Sequence, residues 1–270
     1  MIKRGVVLVL ALSLVLALAA TAAAGPVVDR IVKKGVLVVG TGCDYPPLNF
    51  KATNGKAMGL DVDVATILAK ALGVKLKVKM IPFPKLIGAL TAGKVDIVIS
   101  GMTMLPKRNL KVTFAGPYFV TGQGCLLKGE MMMKVHGLPD LNQPIYTLAV
   151  AKGTTGEMTA RNMLPKAKLL VAKDNDEALQ ALLTGKAQAL MADFPFCVLA
   201  SFRHRKDNLA ALDKPFTYEP LGIAVSASDP QMLNLVNNFV GTLGAAGGLD
   251  QLKKRWFKSS KWMKFLPAAQ

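Results

Sequence analysis

Three stretches of this 270-residue chain put polar and charged groups where β-strands run out into loops. In the first, the strand Val95–Ile99 gives way to Ser100-Gly-Met-Thr-Met-Leu-Pro-Lys-Arg108. Gly101 permits close approach to the backbone, Thr103 offers a hydroxyl and Arg108 a guanidinium. In the second, Thr147–Ala151 runs into Lys152-Gly-Thr-Thr-Gly-Glu157 at a helix start, where free N–H groups favour an anion. In the third, Ala187–Met191 ends in Ala192-Asp193, just before a proline-containing helix start. A carboxylate held away from water needs a cation, best a bidentate arginine, and backbone donors. An ammonium needs a carboxylate and two further acceptors. Together the three exits supply that set, and open α/β sheets gather ligands at the carboxyl ends of their strands. Each also has an ordinary reading: Arg108 as a surface residue, and Thr154, Thr155 or Asp193 as a helix N-cap.

The elements that must position these groups follow from periodicity. Val74-Lys-Leu-Lys-Val-Lys-Met80 alternates apolar residues with lysine and predicts a strand with one wet face. It follows a helix over Leu60–Leu72, closed by Gly73. Gly35–Val39 reads as a strand, Lys85–Ala92 as a helix stopped by Gly93, and Val95–Ser100 as a buried strand. The rhythm restarts downstream: strand Thr147–Ala151, helix Gly156–Leu164, strand Lys168–Val171, helix Asp174–Leu183, strand Ala187–Met191. Between the blocks, Cys125–Lys128 reads as a crossing strand, with Met131–Met133 as packing or loop filler. Leu221–Val225 is a return strand, and Met232–Leu243 and Leu249–Phe257 are closing helices. Alternating strand and helix implies largely parallel α/β sheets. The expected architecture is two α/β lobes, the second inserted into the first, with a cleft between them. The expected boundaries are 25–122 with 222–270 for lobe one and 123–221 for lobe two.

Residues 1–24 stand outside that fold. Lys3 and Arg4, the apolar run Val6–Ala20 and Ala22-Ala23-Ala24 before Gly25 have the layout of a cleavable secretory signal. About 15 apolar residues fall short of the roughly 20 that span a bilayer. The net charge is +17, or +15 without Lys3 and Arg4. The lysines are scattered singly, with no basic arm or zinc-finger spacing, so a solvated basic surface is expected rather than nucleic-acid binding. Three cysteines, Cys43, Cys125 and Cys197, fit no metal spacing, and at most one disulfide could join them. No metal, cofactor or catalytic residue is expected.

The chain resembles the extracellular solute-binding proteins of polar amino acid ABC transporters, the family-3 type. The resemblance rests on Gly40-Thr-Gly-Cys-Asp-Tyr-Pro-Pro-Leu-Asn-Phe50, Gly59-Leu-Asp-Val-Asp63, Phe83-Pro-Lys-Leu-Ile-Gly-Ala-Leu90 and Gly93-Lys-Val-Asp96. It continues through Ser100-Gly-Met-Thr103 with Arg108, Phe114-Ala-Gly-Pro-Tyr118, Gly153-Thr-Thr155, Asp193, Gly222-Ile-Ala-Val225 and Lys254-Arg-Trp-Phe257. It implies a two-lobed periplasmic binding protein fold of type II-like build, with the ligand in the interlobe cleft. Arg108 would clamp an α-carboxylate, helped by backbone N–H groups at Thr103 and Thr155. Asp193, Thr103 and the Gly101 carbonyl would hold the α-amino group, and Tyr45 and Phe83 would wall the ligand side chain. Asp61 and Asp63 match the family's helix start and read as N-cap or first-turn acids. Leu48 and Leu105 stand where relatives often carry Phe and Thr, which should alter the pocket lining. Gly42 stands where lysine- and arginine-binding relatives carry an acid.

The implied function is capture of a small zwitterion, a neutral L-amino acid, by a monomeric periplasmic protein that delivers it to an inner-membrane ABC permease. Two other readings share the scaffold. Cyclohexadienyl dehydratases resemble these proteins and use a lobe-two glutamate as general acid, for which Asp193-Phe-Pro-Phe196 offers no counterpart. A ligand-sensing module would be followed by a spanning helix, and none follows before Gln270.

Overall fold

The computed structural model describes residues 25–268. In chain order the first body opens with α1 (Pro26–Lys34), β1 (Val36–Thr41), β2 (Asp44–Tyr45), β3 (Asn49–Lys51) and β4 (Ala57–Met58). Next come α2 (Leu60–Ala71), β5 (Lys75–Met80), α3 (Leu86–Thr91), β6 (Ile97–Val98), the single turn α4 (Pro106–Asn109) and β7 (Val112–Thr121). The second body runs through β8 (Gln123–Lys128), β9 (Thr147–Ala151), α5 (Thr155–Met163), β10 (Lys168–Ala172), α6 (Asn175–Leu183), β11 (Ala189–Asp193), α7 (Phe194–Arg203) and β12 (Leu209–Ala211). The chain then returns through β13 (Glu219–Ser226), α8 (Pro230–Ala245) and α9 (Gly248–Phe257).

The strands sort into two five-stranded sheets, ordered β5-β1-β6-β13-β7 and β10-β9-β11-β8-β12, plus the small sheet β2-β3-β4. In the first, β5, β1 and β6 are parallel and β13 lies antiparallel to β6 and β7. In the second, β10, β9 and β11 are parallel, while β8 is antiparallel to β11 and β12. This is the α/β two-lobed fold with mixed sheets. Sequence explains the placements. The lysine-studded β5 takes a sheet edge, where charge discourages pairing with another chain. Leu37, Val39, Ile97 and Val98 are sealed in the interior strands. In α8, Met232, Val236 and Val240 recur every four residues and are all buried. Phe50, Trp256 and Trp262 pack ring against ring behind the small sheet.

The sequence pattern missed α1, the short strands of the small sheet and β7. Of the two roles read for Asp61 and Asp63, the first-turn one holds and the cap one does not. Gly59 holds the N-cap position of α2 without a side-chain cap. Asp61 and Asp63 stand in the first turn and bond elsewhere: the Trp256 indole N–H donates to Asp63 at 2.8 Å. Cys43, Cys125 and Cys197 are all unpaired.

The two bodies are joined by two crossing segments that touch. The Gln123 N–H donates to Thr217 Oγ1 at 2.8 Å and the Phe216 N–H to the Gln123 carbonyl at 2.8 Å. Gly122 makes this possible, because a Cβ there would lie 2.0 Å from the Thr217 carbonyl oxygen. Gly122→Ala should therefore cost roughly 1–3 kcal/mol of stability. Gly88→Ala, inside α3 with open space around it, should be neutral or stabilising by about 0.5–1 kcal/mol. Urea unfolding of the two variants checks both, and equal midpoints would refute the crossing-segment account.

Candidate functional site

All seven residues singled out from the sequence line one cavity between the two bodies. Tyr45, Phe83, Gly101, Thr103 and Arg108 come from the first body, and Thr155 and Asp193 from the second. Asp44, Ser100, Gln123, Lys152, Thr154, Lys173, Asp174 and Asn175 also line it. The space left inside it is about 30 Å³, room for roughly two waters by this measure. Entry of anything larger therefore requires the lobes to part.

Arg108 is no surface residue: it is 7% exposed. The tight turn opened by Pro106 folds it back, so that Nη1 donates to the Thr103 carbonyl at 2.9 Å. Nη2 reaches across the cleft to the Gly153 carbonyl at 3.2 Å, and the guanidinium lies 5.4 Å from the centre of the Phe83 ring. Burial lowers its pKa to about 10, while nearby Glu219 and Asp193 work the other way. Asp193 occupies the N-cap position of α7 but makes no cap bond. Instead its carboxylate receives the Tyr45 hydroxyl from the opposite lobe and the Gln123 amide. Burial raises it to about 7; the bonds from Tyr45 and Gln123 and the charge of Arg108 lower it, and Glu219 raises it further. The cap of α5 is Thr154, whose hydroxyl accepts from the Glu157 N–H at 3.2 Å. That leaves Thr155 facing the cavity.

Gly101 lines the cavity, and its lack of a side chain also serves the packing behind it. Its φ is +55°, and a Cβ would come within 2.8 Å of the Tyr45 ring and 3.1 Å of Leu48. Glycine here lets the Tyr45 ring lie against the loop. Behind it stands a buried triad that the sequence did not reveal. The Gly101 N–H donates to Tyr118 Oη at 3.1 Å, and Tyr118 in turn donates to Asp61 at 2.7 Å. Asn49 also donates to Asp61 at 2.7 Å. Two corrections follow for the departures noted above. Leu48 is fully buried beneath this loop, and neither Leu48 nor Leu105 lines the cavity.

The profile of the bacterial extracellular solute-binding proteins, family 3, matches residues 37–259. The chain belongs to this family. Its members are periplasmic or secreted, and no helix among the described residues is long and apolar enough to cross a membrane. The chain is 27% identical over 229 residues to the L-cystine-binding protein of Escherichia coli strain K12, with 85% of each chain covered. It is 30% identical over 230 residues to the cyclohexadienyl dehydratase of Pseudomonas aeruginosa, again with 85% of each covered. Among solved structures it is similar to a putative ABC-transporter binding component from Wolinella succinogenes complexed with lysine. That match has 39% identity and a TM-score of 0.82, covering 86% of this chain and 99% of the other. Relatives of this kind bind amino acids and work with ABC transporters.

Burial raises Asp61 to about 7, although the bonds from Tyr118 and Asn49 favour its charged form. Between about pH 4 and 7 the folded chain therefore keeps a proton that the unfolded chain has lost. The stability this group confers is complete below its unfolded pKa and disappears as the pH rises through about 7. Asp61→Asn should flatten that dependence. Unfolding free energies at pH 5 and pH 8 measure it, and an identical fall in both chains would refute the assignment.

Proposed function

We propose that this chain captures an amino acid with a cationic side chain by closing its lobes, and passes it from the periplasm to an inner-membrane ABC permease without chemical change. The lobes would be 25–122 with 222–270, and 123–221, after removal of the signal segment 1–24, which lies outside the described residues. The observation that carries this reading is a pair of half-met charges facing one cavity. Arg108 spends two donors on backbone carbonyls, Asp193 accepts only from Tyr45 and Gln123, and neither forms an ion pair among the described residues. A zwitterion completes both: its carboxylate on Arg108, with Thr155 alongside, and its ammonium on Asp193 and Thr103. Gly101, Tyr45 and Phe83 complete the enclosure.

The side-chain class rests on Asp44, a half-buried carboxylate on the cavity wall. The Asn175 N–H donates to it at 3.3 Å, and burial followed by Asp174 raises its pKa. No cation pairs with it among the described residues, whereas the cavity lysines Lys152 and Lys173 are exposed and free to stay in water. An ammonium or guanidinium on the ligand side chain would meet this carboxylate, in keeping with the lysine in the similar solved structure. The neutral side chain expected from Gly42 remains the second reading, favoured by that missing acid and by the Tyr45 and Phe83 rings. Catalysis is a third, favoured by an enclosed acid near neutrality at Asp193 and by the dehydratase relative.

A melting-temperature screen separates the three. Lysine and arginine should give the largest shifts, about 4 kcal/mol of added stability at a concentration a thousandfold above Kd. Arg108→Ala should lose about 3–5 kcal/mol of binding, more than a hundredfold in affinity. Shifts by neutral amino acids alone would replace the cationic reading with the neutral one. Turnover of prephenate to phenylpyruvate would overturn the binding-only reading.

A further inference from the structure

Two buried polar residues, Gln123 and Glu219, lie along the crossing segments, and of their bonds the proposed function uses only that from Gln123 to Asp193. Gln123 is fully buried at the start of β8, and Glu219 is 4% exposed at the start of β13. They are linked: the Gln123 N–H donates to Thr217 Oγ1 at 2.8 Å, and Thr217 donates to Glu219 Oε1 at 3.1 Å. At its two ends this chain reaches two of the hydroxyls that line the cavity, those of Thr103 and Thr155. Glu219 Oε2 takes the proton of Thr103 at 2.6 Å. Gln123 Nε2 donates to Thr155 Oγ1 at 3.0 Å and also to the Asp193 carboxylate.

A hydroxyl has one proton and two lone pairs, so committing its proton leaves it only as an acceptor, whereas accepting one bond leaves its proton free to donate. Thr103 donates its proton to Glu219 and so can present only lone pairs to the cavity. Thr155 is in the opposite state. It accepts from the Gln123 amide, and its own proton has no acceptor among the described residues. The amide presents Nε2 to both Thr155 and Asp193, and with Asp193 ionised the reverse orientation would set Oε1 against that carboxylate. The accepted cost is a buried Oε1 without a donor, facing Gly156.

We infer that Gln123 and Glu219 are positioning residues that set the hydrogen-bond polarity of the site, making Thr103 an acceptor for an ammonium and Thr155 a donor to a carboxylate. The inference rests on the binding function proposed above and adds its directionality. A zwitterion fits with its ammonium toward Thr103 and Asp193 and its carboxylate toward Thr155 and Arg108. The reversed pose would set carboxylate oxygens against the lone pairs of Thr103, whose proton is already committed to Glu219, and would leave the Thr155 proton without an acceptor. Because both residues sit where the chain crosses between lobes, the polarity is imposed at the junction of the two halves of the site.

The test is calorimetric titration of wild type, Gln123→Met and Glu219→Gln with L-lysine, L-arginine and L-glutamine between pH 6 and 8.5. Gln123→Met keeps the bulk and removes the donor; it should lower affinity by about tenfold, the value of one good hydrogen bond. Affinity in the wild type should fall as acidification protonates Asp193. The groups facing that carboxylate are Tyr45, Gln123, Arg108 and Glu219. Losing the Gln123 donor should move the midpoint of that fall upward by roughly half a unit or more. Glu219→Gln offers one acceptor where two hydroxyl protons need one each, so Thr103 or Thr217 must turn; it should cost about fivefold or more. Affinities within about threefold of wild type in both variants would overturn the inference, as would a loss in Gln123→Met with an unmoved midpoint. Should Gln123→Met fail to fold, Glu219→Gln decides alone. Failure of the wild type to bind any of the three ligands would instead sink the proposed function, and this inference with it.

Discussion

The arrangement of this molecule turns on a guanidinium and a carboxylate that face the same enclosed space without pairing with each other. Arg108 and Asp193 influence one another's ionisation, yet each is tied by neutral groups to its own surroundings. Separating two charges in a low-dielectric cavity is expensive unless something else supplies the missing partners. A protein that wanted only stability would have joined them or replaced them with apolar side chains. Holding them apart makes sense where a third body, itself carrying both charges, closes the circuit.

Much of the rest serves to hold those two groups in place. The turn at Pro106 folds Arg108 onto the Thr103 carbonyl, and Phe83 covers its guanidinium. Asn49, Asp61 and Tyr118 anchor the Gly101 backbone from behind, and Gly101 admits the Tyr45 ring that reaches Asp193 across the cleft. Closure is thus written into direct lobe-to-lobe bonds: Tyr45 to Asp193, Arg108 to the Gly153 carbonyl, and the Asn175 N–H to Asp44. These bonds are few, which suits lobes that must also part to admit a ligand.

How much of this was legible in the sequence depended on whether the signal was local. The strand-helix rhythm placed Thr147–Ala151 without error, and α2, α5 and α9 to within a residue or so, because apolar periodicity and glycine stops are properties of contiguous residues. The charged set was legible because each member follows a strand. β7 was not: Gly116-Pro117 in its middle reads as a turn, and only an edge position in the sheet accommodates it. The small sheet has strands of two or three residues, too short for any period. Gln123, Glu219 and the Asp61–Tyr118–Asn49 triad were invisible for a different reason. Apart from Thr217, two residues from Glu219, their partners lie between 12 and 116 residues away, and no spacing rule connects them before the chain has folded. The sequence pointed to Gly42 as a position bearing on the ligand's side chain, and only the fold shows that Asp44, two residues on, lines the cavity.

A crystal structure grown with a bound amino acid tests the central claim most directly. The account predicts the α-carboxylate within hydrogen-bonding distance of the Arg108 guanidinium, the ammonium against Asp193 and Thr103, and the side chain extending toward Asp44. An amino acid bound the other way round, or bound with Arg108 still spending its donors only on the Thr103 and Gly153 carbonyls, would contradict it.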